Sequence, residues 1–195
     1  RLHSVATINE PWCVAWLSHY LGVHAPGYKN IENTARAMHY IMLAHGYGME
    51  VIRSFSHKNA GIVLNKAAVE SFSEKPEDVN AANLYEEIHN SWFSDAVFKS
   101  NYPENLLNIL GDCMPDKYEE DLKIIGAPLD WLGLNYYTRN LIKFDKKDQI
   151  FQLTDIEGPK EKTDMNWEVY PEGLTKIIEN DVNHYNLKIP IHITE

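Results

Sequence analysis

Cysteine is scarce: Cys13 and Cys113 are the only two in 195 residues, and neither sits in a C-x-x-C pair. That is too few for a disulfide framework, and it lacks the spacing of a zinc or redox site, so both are expected to be free thiols. Long apolar runs are missing too. No segment approaches the roughly 18 uninterrupted apolar residues that a membrane-spanning helix requires. No signal peptide opens the chain, and the true N-terminus is expected to lie upstream of Arg1, which leaves the compartment open, with the cytoplasm favoured. Blocks of Lys and Arg are absent from a chain of formal net charge -10, which argues against nucleic acid or an anionic membrane as partner. An uncharged or cationic small molecule suits this charge better. The sequence also has no H-E-x-x-H, no P-loop, no Gly-rich dinucleotide fingerprint and no G-x-S-x-G elbow, so metalloprotease, nucleotide and serine-hydrolase readings lack their anchor.

What is present is ordinary globular material, 44% hydrophobic and 24% charged, enough for one sizeable core. Four short runs read as strands buried on both faces, because they are continuously apolar rather than alternating. They are Val5 to Asn9, Gly61 to Asn65, Asp130 to Asn135 continuing into Tyr136 and Tyr137, and Pro190 to Glu195. Between Asn30 and Ser54, Ile31, Ala35, Met38, Met42, His45, Met49 and Ile52 recur at three- and four-residue steps, which predicts an amphipathic helix ending near Arg53. A second helical region is expected from Pro76 to Phe98, with Pro76, Glu77 and Asp78 suited to its start. Shorter helices are expected at 103–110, 118–125 and 171–185. Asp145 to Lys162 is polar and reads as an excursion holding a small hairpin, Ile142 to Phe144 against Ile150 to Leu153.

Strands alternating with helices imply βαβ units and a parallel sheet. A closed (β/α)8 barrel takes roughly 250 residues, whereas four strands fill this chain. The fold class expected is therefore α/β, a partial barrel, with open strand edges that a longer polypeptide would close.

Two of the runs end on a glutamate: Ala6-Thr7-Ile8-Asn9-Glu10, followed by Pro11-Trp12, and Ile191-His192-Ile193-Thr194-Glu195. Catalytic groups of a parallel barrel sit at the C-terminal tips of its strands, and two carboxylates facing each other are the minimal equipment for cleaving a glycosidic bond. Pro11 biases Glu10 toward an extended backbone, aiming its carboxyl at a pocket. Asn9 can donate to a sugar hydroxyl. A tyrosine hydroxyl near the tip of the third strand could orient a carboxylate, and on spacing alone rim packing accounts for Tyr136 and Tyr137 equally well. Of five tryptophans, Trp167 in the turn Asp164-Met165-Asn166-Trp167 is the one nominated to touch substrate. His45, on the apolar stripe, is expected to be a core histidine with a satisfied hydrogen bond rather than a ligand.

These residues resemble glycoside hydrolase family 1, the β-glucosidase family. Thr7 to Trp12 resembles the family's acid/base motif, with Ile8 where phenylalanine is usual. In family order follow Gly22 to Gly27, Leu43-Ala44-His45, Gly61 to Asn65, Trp92-Phe93, Tyr102-Pro103, Gly133 to Thr138 and Trp167 to Leu174, and Ile193-Thr194-Glu195 matches the start of the nucleophile motif. Asn166 stands where a glycine is usual. The resemblance implies strands four to seven of a (β/α)8 barrel, residues 1–195 forming one partial domain that lacks the first three strands and the eighth. It implies Glu10 as acid/base, Glu195 as nucleophile, Asn9 as donor to the sugar 2-hydroxyl, Tyr137 as hydrogen-bond partner of Glu195, Asn135 lining the pocket, and Trp167 at the aglycone. It also implies a β-glycoside substrate, no metal or organic cofactor, and an oligomeric state left open. A catalytically silent fragment, a carbohydrate-binding relative, and a subunit that completes its barrel with another chain stay open beside it.

Overall fold

The computed structural model describes residues 2–55 and 59–195. Four strands run parallel in the spatial order β1 (Val5–Asn9), β2 (Ala60–Ser71), β3 (Trp131–Phe144) and β5 (Ile191–Ile193). Their register places Ala6 beside Gly61, Gly61 beside Trp131, and Leu132 beside Ile191. A fifth strand, β4 (Leu153–Ile156), pairs antiparallel with the far end of β3, Leu141 to Phe144. The apolar runs predicted strands, and the reason is visible: β2 is buried from Ala60 to Ala68 and β3 from Trp131 to Asn135, because helices cover one face of the sheet and its other face points into the half-barrel.

Helix α1 (Ile31–Ser54) is capped by Asn30, whose side chain accepts the Asn33 N–H at 2.8 Å. Of its predicted stripe, Ala35, Met38, Met42, His45 and Met49 are buried, and Ile31 and Ile52 lie half-buried at its ends. His39, on the same helix, is wholly buried between the Tyr102 hydroxyl at 2.9 Å and Asp121 at 3.1 Å. His45 meets its expectation on one side only. Its Nδ1 pairs with Thr7 Oγ1 at 2.5 Å, while Nε2 is buried with no partner among the described residues. Burial pushes the His45 pKa down to about 4, so the ring stays neutral in the core. The main hydrophobic cluster joins Trp16, Met38, Met42, Ile62, Trp92 and Leu132, and Trp92 stacks on Tyr102 with centroids 3.8 Å apart.

The remaining helices are α2 (Pro76–Glu86), α3 (Trp92–Lys99), α4 (Glu104–Leu110), α5 (Tyr118–Ile125) and α6 (Glu172–Tyr185). Pro76 starts α2 at its first turn, where a missing N–H costs nothing. The helical region from Pro76 to Phe98 is not uniform: a π-turn at Glu87–Ser91 separates α2 from α3. A second π-turn, Cys13–Leu17, follows β1.

The sequence reading ended the second and third strands too early. They continue past Asn65 and past Tyr137, and Ala68 to Ser71 pair with Arg139 to Ile142. Their polar residues resemble a strand end, but pairing of the two strands with each other, and of β3 with β4, keeps them extended. The small hairpin exists with its return arm shifted, at Leu153–Ile156 rather than 150–153, because Phe151 is drawn into the core. Helix α6 is fixed to β2 by a buried ion pair, Lys66 Nζ to Asp181 Oδ1 at 2.5 Å and Oδ2 at 2.7 Å. No helix among the described residues is long and apolar enough to cross a membrane.

Close approach rather than turn geometry dictates Gly46. A Cβ there would lie 2.4 Å from the Ile124 carbonyl oxygen, so α5 presses directly on the α1 backbone. Alanine would gain about 1 kcal/mol of helix propensity but force two backbones apart. Gly46→Ala is expected to lower unfolding free energy by about 1–3 kcal/mol, read as a shifted denaturation midpoint with unchanged slope.

Candidate active site

One cleft of about 420 Å3 is lined by Glu10, Asn65, Tyr137 and Trp167 at the ends of β1, β2 and β3 and the rim, while Asn9, Asn135 and Glu195 lie outside its lining. At the first tip, the Glu10 N–H donates to Val63 O at 2.9 Å, and the chain turns there with Glu10 at φ +53°. This corrects the expected extended backbone. Proline disfavours the right-handed helical region for the residue before it, and a register shift between Ala6 and Asn9 turns the strand end into the left-handed region instead. A non-glycine residue there is strained by about 1–2 kcal/mol, and such strain concentrates at functional sites.

Asn135, wholly buried on β3, joins the tips. Its Nδ2 donates to Glu10 Oε1 at 2.8 Å and lies 3.3 Å from Asn9 Oδ1, and its Oδ1 accepts from Thr194 Oγ1 at 2.6 Å. The amide thus links β1, β3 and the segment after β5. Asn9 accepts through its oxygen, which leaves its NH2 group to donate. Two residues along, the Tyr137 hydroxyl donates to Glu195 Oε2, and the Tyr136 N–H holds the Glu195 carbonyl at 3.2 Å.

The two carboxylates share an environment. Burial, the hydrogen bond to Glu195 and the negative charges of Glu10 and Glu195 together push the Tyr137 phenol well above its ordinary value. Cys13, one turn beyond Glu10, is pushed up to about 12 by burial first, then by the charge of Glu10, a hydrogen bond to it, and the charge of Glu195. One thiol and one phenol therefore feel both acids.

Trp167 stands at the rim, its ring 5.1 Å from that of Tyr137. Asn166 before it takes φ +63°, a conformation asparagine tolerates better than most residues, so the turn keeps a shape that glycine would allow. The sequence reading passed over Cys13, Asn65 and His89, which also line the cleft. For Asn65 a signal existed: Leu64-Asn65 and Leu134-Asn135 end two apolar runs alike, and the two asparagines are register partners. Nothing local marks His89, which a π-turn delivers. No group of three or more His, Cys, Asp or Glu among the described residues could hold a metal ion.

The sequence model of glycosyl hydrolase family 1 matches residues 1–195. The chain belongs to that family. It is 43% identical over 199 aligned residues to a β-glucosidase of an Agrobacterium species, covering 100% of this chain and 43% of that protein. It is 36% identical to β-glucosidase A of Thermotoga maritima, covering 100% and 44%. Among solved structures, virulence factor SghA from Agrobacterium tumefaciens superposes with a TM-score of 0.91 at 41% identity, over 100% of this chain and 44% of that one. A Thermotoga maritima family 1 glycoside hydrolase complexed with a cyclophellitol analogue superposes at 0.89 with 36% identity, over 97% and 43%. The chain thus spans under half the length of the relatives it matches, and its half-barrel superposes on part of theirs.

In this family 1 chain a charged network holds the segment carrying Trp167. Arg139 on β3 pairs with Glu70 on β2 at 2.5 Å and with Glu168 at 2.6 Å, and Glu168 also accepts the Lys160 N–H at 2.7 Å. Burial alone would raise the Glu70 pKa, but hydrogen bonds from Lys176, Tyr170 and Arg139 bring it down to about 2 from an ordinary 4.5. A depressed carboxyl stabilises the fold fully above its unfolded value and ceases to as pH falls through its folded one. Glu70→Gln is therefore expected to lower thermal stability at pH 7 by up to about 3 kcal/mol and to flatten the loss between pH 4.5 and about 2. Parallel melting-temperature profiles of variant and parent over that window would contradict the assignment.

Proposed function

We propose that residues 1–195 supply the catalytic half of a retaining β-glycosidase acting on terminal β-linked sugars, and that polypeptide outside this chain closes the barrel. The supporting observation is the placement of Glu10 and Glu195 at the ends of β1 and β5, where both bear on Tyr137 and Cys13. Retaining hydrolysis needs two carboxyl groups about 5–5.5 Å apart, one to attack and one to shuttle a proton. The relatives' names as β-glucosidases favour glucose as the sugar released.

In this reading the Glu195 oxygen not bound by Tyr137 attacks the anomeric carbon as the glycosidic C–O bond breaks. Glu10 gives its proton to the departing oxygen, and the aglycone leaves as an alcohol. A glycosyl ester of Glu195 remains. Glu10, now a carboxylate, takes a proton from water as the water oxygen attacks the same carbon; the ester bond breaks, Glu195 is restored, and Glu10 is again protonated. Two inversions leave the β configuration unchanged. Asn135 holds the Glu10 carboxyl in place, the Asn9 NH2 group binds the sugar 2-hydroxyl, and Trp167 covers the leaving group.

The test uses a family-length protein containing this chain. Glu10→Gln is expected to reduce kcat/KM for a β-glucoside with a poor leaving group by about 10²–10⁴-fold, with far less loss in the first step for an activated aryl leaving group. Added azide should recover turnover of the activated substrate as a β-glycosyl azide. NMR of the parent reaction should show the β-anomer of the sugar first. Unchanged activity of Glu10→Gln, or α-anomer appearing first, would overturn the reading.

A further inference from the structure

His89 reaches the cleft from the π-turn Glu87–Ser91, in which the Trp92 N–H bonds to Glu87 O five residues back. Such turns are rare and recur at functional sites. Side chains that meet along an α-helix are three or four residues apart, whereas residues five apart point about 140° away from each other. Glu86 and Ser91 are five apart. Yet Ser91 Oγ donates to Glu86 Oε2 at 2.6 Å, a bond that the π register brings within reach and a regular helix does not. The pair therefore favours one register of the helix over the other.

Two further contacts tie the turn to its surroundings. Glu87 accepts from Asn105 Nδ2 at 2.7 Å and from the Leu106 N–H at 2.8 Å, both on α4. Asn90 Nδ2 donates to Ala67 O at 2.9 Å and its Oδ1 accepts the Ala67 N–H at 3.2 Å, where β2 shifts register against β3. Neither contact spans the turn; the Glu86–Ser91 bond does. The charged groups facing Glu86 are Lys66 of β2 and Asp181 of α6, which pair with each other. On the cleft side, the His89 ring lies 4.1 Å from that of Trp12 and 5.7 Å from that of Tyr85, with Asn65 Nδ2 3.5 Å from its Nε2. Burial, helped by the Lys66 charge, brings the His89 pKa down to about 3, so the packed ring is neutral.

We infer that Glu86 and Ser91 are positioning residues whose side-chain bond locks the π register and so keeps His89 packed in the cleft wall. Relaxation toward i→i+4 bonding would turn the residues of the turn about the helix axis, carry His89 off Trp12 toward solvent, and let its ring ionise like an ordinary histidine. The lock thereby keeps one more titrating group out of the cleft that Glu10 lines. It does not depend on turnover, so it and the glycosidase reading above can fail separately.

The test follows the His89 imidazole by NMR in the family-length protein, isotopically labelled in its histidines, with the signal assigned by its loss in His89→Gln. At about pH 5 an ordinary histidine is almost wholly protonated, whereas His89 of the parent is expected to be almost wholly neutral. One hydrogen bond weighs roughly tenfold in such an equilibrium. Ser91→Ala is therefore expected to raise the imidazolium fraction of His89 at that pH about tenfold, and Ser91→Thr, which keeps the hydroxyl, to restore the parent's value. Gly46→Ala, which lowers stability elsewhere in the fold, is expected to leave the fraction unmoved, and this separates loss of the lock from loss of stability. A fraction in Ser91→Ala that matches the parent's overturns the lock, as does an equal rise in Gly46→Ala. Where Ser91→Ala gives no cooperative thermal transition, Glu86→Ala is measured in its place with the same readout.

Discussion

Asn135 has no exposed surface, so all its hydrogen bonding must be met inside the protein. The groups that meet it belong to Glu10, Asn9 and Thr194, which lie far from it in sequence and on different strands. The need to satisfy one buried amide therefore fixes the spacing of three strand tips. Replace that amide with an apolar side chain and the Glu10 carboxyl loses its orienting donor, while Thr194 loses the acceptor that places the residue before Glu195. The two candidate carboxylates are held relative to each other through a residue that is itself neutral.

Around that link the sheet obeys a simple division. Strands buried on both faces have no room for polar side chains along their length, so polar groups collect where each strand leaves the barrel. Asn9, Asn65, Asn135 and Thr194 mark those points on four successive strands. Beyond them β2 and β3 continue outward, and their polar stretch is made usable by the Glu70–Arg139–Glu168 network, which brings Trp167 back over the cleft.

The sequence was most legible where one interaction dominates. Val5–Asn9 and Tyr118–Ile125 match their predicted bounds, since apolar continuity and helical periodicity leave little competition there. It was least legible where distant pairing decides. The extension of β2 past Asn65 depends on β3, the shifted arm of the hairpin on the burial of Phe151, and the left-handed Glu10 on a bond to Val63, none of which leaves a local pattern. In the cleft, the strand-tip argument found Glu10 and Glu195 and so found their neighbourhood. Cys13 and His89 escaped it because each lies on a π-turn, an irregularity with no composition of its own, whereas Asn65, in regular register with Asn135, shares that residue's pattern at the end of an apolar run.

The thiol of Cys13 carries a consequence for the chemistry of the cleft. With its pKa raised to about 12 by burial and two nearby acids, the thiol stays protonated at neutral pH. Thiolate, not thiol, is what attacks electrophiles and oxidants. Sulfur therefore sits against the candidate acid without offering a rival nucleophile, and a quinone or peroxide entering the cleft would meet a neutral thiol that reacts far more slowly than an ordinary cysteine.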